Sequence, residues 1–132
     1  ASENTQITHY SNSFFNFEDL QVVSNSTFPS ASVKISRGAD VFNASAVGSG
    51  PIDALYSAIA DITKIDIKLV EYNISSVSRG KEALGKVKIT VEHEDEKYIA
   101  KAADTDILRA SALAYVNAIN SIIAAKISPV IV

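Results

Sequence analysis

The hydrophobic pattern of this chain changes period twice, and it does so in the same order each time. Three segments with the two-residue alternation of a β-strand precede one segment with the 3.6-residue period of a helix, first over about residues 17–64 and again over about 65–126. A chain of this kind must bury two sheet faces and two helix faces in a common core. The pattern therefore predicts an α+β domain of duplicated βββα units, with two three-stranded antiparallel sheets and two helices.

The first unit shows its faces most clearly in the middle strand. Val33 and Ile35 share an apolar face, whereas Lys34 and Ser36 lie on the polar face. The three strands of this unit are predicted over residues 17–24, 31–36 and 41–47, with a turn at 37–40. A helix is predicted from Pro51, because proline lacks an N–H group that the first helical position leaves unpaired in any case.

The second unit repeats this order with one irregularity. The apolar alternation that begins at Ile65 shifts by one residue after Leu69, which predicts a β-bulge. Further strands are predicted over residues 85–93 and 97–102, and a helix over about 106–126 that is capped by the acidic residues at 104–106. Residues 31–35 align one by one with residues 85–89, which supports a duplication.

The second predicted helix is apolar over more than half of its circumference. Its polar residues fall on one narrow stripe, formed by Asp106, Arg109, Asn117 and Asn120. Such a helix is usually buried from two directions. The second direction is either another subunit or, if this is the central helix of the fold, other elements of the same chain.

Charge and composition argue against several classes of partner. The net charge is −3 and no stretch gathers Lys and Arg, so no nucleic-acid partner is expected. No apolar run reaches the length of a membrane span, the longest being broken by Lys126 and Pro129, so no membrane contact is expected. The chain has no cysteine, which fits a cytoplasmic protein without disulfides.

Residues that could perform catalysis do not form a workable set. His9 and His93 lack the close spacing of a zinc or iron site, and His93 is expected to be an exposed turn residue. No serine is credibly paired with a base. Asp104 and Asp106 could form a general acid/base pair, but helix capping explains both residues more simply. We predict no catalytic residue, no metal and no cofactor in this chain.

The two approaches to the predicted helices differ in electrostatic character. Gly48-Ser49-Gly50 would expose backbone N–H groups near the positive end of the first helix, which favours a carboxylate or phosphate. Ala103-Asp104-Thr105 places an acidic side chain before the second helix, which favours a cation such as an ammonium group. Together the two approaches would suit a zwitterion, although a glycine before a helix is also explained by a tight turn alone.

Several of these segments, over about residues 17 to 126, resemble the C-terminal allosteric domain of 2-isopropylmalate synthase and of citramalate synthase. The resemblance rests mainly on two blocks that occur together, Gly48-Ser49-Gly50-Pro51-Ile52-Asp53-Ala54-Leu55 and Asp104-Thr105-Asp106-Ile107-Leu108-Arg109-Ala110-Ser111-Ala112. Four further segments also resemble the family: Leu20-Gln21-Val22-Val23-Ser24, Leu69-Val70-Glu71-Tyr72, Ala83-Leu84-Gly85 and Ala114-Tyr115-Val116-Asn117-Ala118-Ile119-Asn120. On this basis residues 17–132 are the regulatory domain, and residues 1–16 are a linker or tail.

The resemblance implies a domain that forms a homodimer and binds the end-product amino acid, leucine or isoleucine. In the family, this binding inhibits a catalytic TIM-barrel domain of the same polypeptide, which carries the metal and is absent from this chain. The polar ends of the ligand would contact Gly48, Ser49, Gly50, Ala103, Asp104 and Thr105. Its aliphatic part would contact Ile52, Leu69, Tyr72, Ser76 and Ala83, with Gly85 close by.

One departure from the family pattern keeps other interpretations open. The family has a glycine-rich, serine-containing approach to the second helix, whereas this chain has Lys101-Ala102-Ala103-Asp104. The chain could therefore be a structural dimerisation module that binds no effector. A third interpretation, a small secreted interaction domain, rests on the glycosylation-type triplets that begin at Asn25, Asn43 and Asn73.

Overall fold

A computed structural model describes residues 13–24, 27–79 and 82–127 of the chain. Two strand–strand–strand–helix units follow one another in it, as the sequence predicts. The first unit consists of β1 (Asn16–Val23), β2 (Ser30–Arg37), β3 (Asp40–Val47) and α1 (Pro51–Thr63). The second consists of β4 (Lys68–Arg79), β5 (Glu82–His93), β6 (Glu96–Asp104) and α2 (Ile107–Ile127).

Each unit forms its own three-stranded antiparallel sheet, with the strands in the order β1-β2-β3 and β4-β5-β6. The pairing of β4 with β5 shifts between Leu69 and Glu71, which confirms the bulge predicted from the slip in apolar alternation. A second shift between Phe17 and Asp19 in β1 was not visible in the sequence. The fold class predicted from the repeat is confirmed.

The core lies between the sheets and the helices. The alternating apolar residues of the middle strands are buried, and each helix packs on the strands of its own unit and on the other helix. The largest fully buried side chains are Ile35, Leu55, Val87, Ile89, Val91, Ile119 and Ile122, with Ile59 and Ser111. Ser36, which was predicted on the polar face of β2, is only 9% exposed, and its hydroxyl donates to the Glu18 carboxylate at 2.6 Å.

Helix α2 is the central helix of the single chain. It packs on β5 and β6, on α1 and on β1, so burial from two directions needs no second subunit. By length and composition alone, this helix could cross a membrane, contrary to the expectation from the sequence. However, half of its most apolar stretch is buried within the protein. Such burial is typical of a core helix.

The polar stripe of α2 binds backbone groups of other elements. Asn120 accepts from the N–H of Phe15 through Oδ1 and donates to its carbonyl through Nδ2, both at 2.9 Å. Asn117 donates to the carbonyl of Lys101 at 3.0 Å. Phe15 is 3% exposed and belongs to the core, so the described end of the predicted tail, from Ser13 to Asn16, is a packed part of the domain.

Candidate functional site

The approach to α1 is closed by hydrogen bonds within the chain. Gly50 is the N-cap residue, and Pro51 occupies the first turn as predicted. The N–H of Gly48 donates to the Pro29 carbonyl at 3.0 Å, and the N–H of Ser49 donates to Asp53 Oδ2 at 2.9 Å. The carboxylate of Asp53 thus occupies the position that the sequence suggested for an external anion.

The two glycines of this approach differ in their surroundings. A Cβ atom on Gly48 would lie 2.5 Å from the backbone nitrogen of Ala54 and 2.6 Å from Asp53 Oδ2, so this position requires glycine for close packing against the helix. A Cβ atom on Gly50 would meet nothing within 4 Å. Gly50 therefore faces open space, into which a ligand can approach the backbone.

The approach to α2 is formed by capping interactions, as predicted. Asp104 Oδ1 accepts from the N–H of Asp106 at 2.9 Å, and Asp106 Oδ1 accepts from the N–H of Leu108 at 2.9 Å. The other oxygen of Asp104 lies 3.7 Å from Nε of Arg109. Arg109 therefore supplies the positive charge that the sequence analysis assigned to a ligand ammonium group.

A cluster of tyrosines connects α1, α2 and β4. The rings of Tyr56 and Tyr115 have centroids 4.4 Å apart, and Tyr72 meets Tyr56 edge-on at 6.4 Å. Tyr56 donates a hydrogen bond of 3.0 Å to the backbone carbonyl of Ser111. The hydroxyls of Tyr72 and Ser111 are hydrogen-bonded to each other, and Ser111 also bonds to the carbonyl of Ile107 at 2.8 Å.

A cavity of about 370 Å³ lies beside this cluster, between α1 and the start of the second unit. We call it the tyrosine cavity; it is lined by Ile52, Asp53, Tyr56, Ser57, Ala60, Ile67, Leu69 and Tyr115. Its wall is mainly apolar, with the Asp53 carboxylate as its charged group. Burial raises the pKa of Tyr115 to about 12, and the nearby carboxylate of Asp66 adds to this effect. Tyr115 is therefore a neutral hydroxyl at physiological pH.

The structure brings some of the predicted site residues together at this cavity. Ile52 and Leu69 both line it. Tyr72 lies next to it through its contact with Tyr56, and Ser49 is joined to it through Asp53. These residues come from both repeat units. From the sequence, only the family resemblance indicated that they belong to one site.

The predicted site residues that follow Tyr72 in the chain form a separate group at the second sheet. Ser76, Gly85 and Asp104 lie opposite one another in a single row across β4, β5 and β6. This row is four residues, or about 13 Å, along β4 from Tyr72. A Cβ atom on Gly85 would lie 2.2 Å from the terminal carbon of Ile107, so Gly85 admits this side chain of α2. Flanking this row are the exposed Ala83, Ala103 and Thr105.

Tyr56 and Tyr115, which lie on the apolar faces of the two predicted helices, and Ser111 were not predicted as residues of the site. The residue type was the signal that could have identified the two tyrosines. A buried tyrosine hydroxyl usually needs a hydrogen-bond partner, whereas phenylalanine needs none. Ser111 gave a similar signal, because it is a polar residue among the apolar positions of α2.

His93 is not the exposed turn residue that was expected. It ends β5, its side chain is 11% exposed, and its Nδ1 lies 2.7 Å from the carbonyl oxygen of Asp66. Within residues 13–24, 27–79 and 82–127 no group of three His, Asp or Glu residues is placed to hold a metal ion.

Comparison with known proteins adds a family to this geometry. The model of the LeuA allosteric (dimerisation) domain matches residues 3–123. A 2-isopropylmalate synthase of Geobacillus sp. (strain Y412MC10) is 47% identical over 113 residues, which are 86% of this chain and 22% of that protein.

Two further relatives carry the same name. The 2-isopropylmalate synthase of Sediminispirochaeta smaragdinae is 47% identical over 96 residues, covering 73% of this chain and 19% of its own. The 2-isopropylmalate synthase of Yersinia enterocolitica is 38% identical over 114 residues, which are 86% of this chain and 21% of that protein. The chain thus spans about a fifth of the length of these relatives.

Proposed function

This chain belongs to the LeuA allosteric (dimerisation) domain family, and we propose that it is the effector-binding regulatory domain of an acyltransferase of branched-chain amino-acid biosynthesis. The parent is a 2-isopropylmalate synthase or a citramalate synthase, located in the cytoplasm. The effector is the end-product amino acid, leucine or isoleucine, and its binding causes feedback inhibition of a catalytic TIM-barrel domain on the same polypeptide. The chain itself performs no catalysis.

The observation that carries this proposal is the tyrosine cavity. Its volume of about 370 Å³ lies at the small end of the range of about 300–1,000 Å³ that is usual for ligand pockets. Ile52, Ile67 and Leu69 offer an aliphatic side chain the apolar surface that it needs. A larger or strongly charged metabolite would fit this wall poorly, because the cavity has few polar groups to replace the water that such a ligand loses.

The charges at the rim match the two ends of an amino acid. The Asp53 carboxylate, which uses Oδ2 for its bonds to Ser49, attracts the ammonium group. The α-carboxylate meets the N-terminus of α1 beside Gly50, where the first turn leaves backbone N–H groups without helical partners. One helix start would therefore hold both ends of the ligand.

Assembly as a homodimer completes the proposed site. The group around Ser76, Ala83 and Gly85 lies apart from the tyrosine cavity within one chain. In this region the side chain of Ile74, which lies on the same face of the sheet as Ser76 and Gly85, is 50% exposed, an apolar surface that a second copy would cover. We propose that this part of the partner closes the cavity.

Calorimetric titration of the chain with L-leucine and L-isoleucine tests effector binding directly. Saturable binding of at least one of them, with a rise in melting temperature, is expected. D-leucine is the matched control, because it has the same apolar surface but exchanges the positions of the charged groups. Equal binding of both enantiomers, or no binding to the folded chain, would overturn the proposal.

Feedback inhibition requires the parent enzyme for its test. The coupling between effector and substrate sites is expected to be about 1–3 kcal/mol, or roughly 5–150-fold in affinity. Leucine or isoleucine should therefore inhibit the intact synthase, and deletion of this domain should abolish inhibition while the barrel keeps its activity. Unchanged inhibition after the deletion would place the effector site elsewhere.

A structural dimerisation module without an effector is the second candidate. It is favoured by the hydrogen bonds that already occupy the approaches to both helices, at Ser49 and at Asp104. This candidate predicts a dimer in sedimentation whose stability does not change with any branched-chain amino acid. The secreted interaction domain receives no support from the relatives, which are named as synthases.

A further inference from the structure

The outer face of the second sheet, turned away from α2, holds a second cavity of about 190 Å³. We call it the lysine cavity; it is lined by Asn73 and Ser75 on β4, Lys86 and Lys88 on β5, and Lys101 on β6. All five residues are exposed. The lysines come from two strands, so no stretch of sequence gathers them, and only the pairing of the strands brings them together.

Strand register sets the spacing of the positive charges. Lys88 lies directly opposite Lys101, with Asn73 on its other side. Lys86 is two residues away on the same face and lies opposite Ser75. Directly opposed side chains have Cβ atoms about 5 Å apart, so Lys88 and Lys101 repel each other in the free protein.

Among the described side chains, the carboxylates leave this group of lysines unpaired. Within the described ranges, none of the three lysines forms an ion pair. Glu71 on β4 and Glu92 on β5 lie on this face but do not line the lysine cavity. A bound anion would offset this repulsion, and it would replace part of the water that hydrates the ammonium groups and the anion.

The first sheet provides a comparison within the same molecule. Residues 31–35 align with residues 85–89, which makes Lys34 the counterpart of Lys88. Lys34 lies between Asp19 and Asn43, and a cavity of about 170 Å³ surrounds these residues. One lysine and one carboxylate line that cavity, so it is formally neutral. The accumulation of lysines is therefore a property of the second unit and not of the fold.

We propose that the lysine cavity binds a small molecule that carries a phosphate or diphosphate group. Ammonium groups act as point charges toward phosphate oxygens, and three of them suit a group of more than one negative charge. The amide of Asn73 and the hydroxyl of Ser75 are neutral donors for the remaining oxygens. The site lies on the opposite face of the sheet from α2 and shares no lining residue with the tyrosine cavity.

Titration of the isotope-labelled chain with inorganic pyrophosphate, followed by amide NMR shifts at constant ionic strength, tests the site. Saturable shifts are expected at Lys86, Lys88 and Lys101 and not around Lys34. Affinity should fall as sodium chloride is raised, because the lysines are exposed and their charges are screened. No saturable shift, or equal shifts on both sheets, would overturn the proposal.

The double substitution Lys88→Gln with Lys101→Gln should weaken pyrophosphate binding by at least about tenfold, since each lost charged hydrogen bond contributes substantially to affinity. Lys34→Gln is the matched control and should leave binding unchanged. The double variant removes a repulsion, so its melting temperature should be no lower than that of the parent. Unaltered pyrophosphate affinity in a folded double variant would contradict the site, as would citrate binding more tightly than pyrophosphate.

Discussion

The hydroxyl of Tyr56 on α1 donates a buried hydrogen bond of 3.0 Å to the backbone carbonyl of Ser111 on α2. These residues are 55 positions apart in sequence and belong to different repeat units. The bond joins the helices of the two units at the wall of the tyrosine cavity. The duplicated units therefore meet through a specific polar contact as well as through apolar packing.

Tyr56→Phe is expected to lower the free energy of unfolding by about 1–2 kcal/mol, because the substitution removes one buried hydrogen bond and keeps the ring. Urea unfolding monitored by circular dichroism measures this change. Tyr98→Phe is the control, since Tyr98 is half-buried and its hydroxyl makes no hydrogen bond to another described residue. A loss of equal size in both variants would show that the contact between Tyr56 and Ser111 has no special role.

Ser111→Ala should destabilise the protein by about 1–3 kcal/mol, because it leaves the hydroxyl of Tyr72 without its partner in a partly buried position. Ser121→Ala on the exposed side of the same helix should be neutral or slightly stabilising, since alanine is the better helix former. Thermal unfolding of the two variants, compared with the parent chain, measures the difference. Equal melting temperatures for both would contradict the prediction.

The two glycines before α1 should respond very differently to substitution by alanine. Gly48→Ala places a methyl group 2.5 Å from the nitrogen of Ala54, and a loss of about 1–3 kcal/mol is expected from the displaced backbone. Gly50→Ala meets no atom within 4 Å, so its stability should change by less than about 1 kcal/mol. Its leucine affinity should nevertheless fall if the ligand carboxylate lies against Gly50.

Chemical denaturation and calorimetry separate these effects. Chemical denaturation should show the loss of stability in the Gly48 variant, with the Gly50 variant as its control, and calorimetry measures the leucine affinity of the folded Gly50 variant. Unchanged leucine affinity in the Gly50 variant would place the ligand away from this helix start.

The buried tyrosines predict a loss of stability at high pH. The pKa of Tyr115 is raised from 10.0 to about 12, mainly by burial, and burial also raises the pKa of Tyr56. A pKa raised by folding means that the folded state favours the neutral hydroxyl. The contribution to stability is therefore complete below about pH 10 and is lost as the pH rises toward 12.

The free energy of unfolding should fall in this interval by up to about 1.4 kcal/mol per pH unit for each buried tyrosine. Urea unfolding at a series of pH values measures this slope. Tyr115→Phe should show a smaller slope than the parent chain, because it removes one buried hydroxyl and leaves every other ionisable group in place. Identical slopes would show that Tyr115 does not titrate as a buried group.

Local pattern was enough to predict the fold but not the site. The proline at 51 marked the start of α1, and the slip after Leu69 marked the bulge, because both signals act within a few residues. The position of Phe15 in the core depends on Asn120, and the tyrosine cavity depends on how α1 meets α2. These are contacts between distant segments, which no period in the sequence encodes. The lysine cavity was missed for the same reason, since Lys88 and Lys101 are neighbours only through strand register.

The contact between Asn120 and Phe15 gives a direct test of such a distant interaction. Asn120→Asp keeps the size of the side chain but replaces the Nδ2 donor with an oxygen that faces the carbonyl of Phe15. A loss of about 1–3 kcal/mol is expected, since two acceptors then oppose each other in a partly buried position. Asn117→Asp on the exposed part of the same stripe is the control and should cost less. Hydrogen exchange at the amide of Phe15 should accelerate in the Asn120 variant and not in the Asn117 variant. If the Phe15 amide of the Asn120 variant exchanged as slowly as that of the parent chain, β1 would be held by its sheet alone.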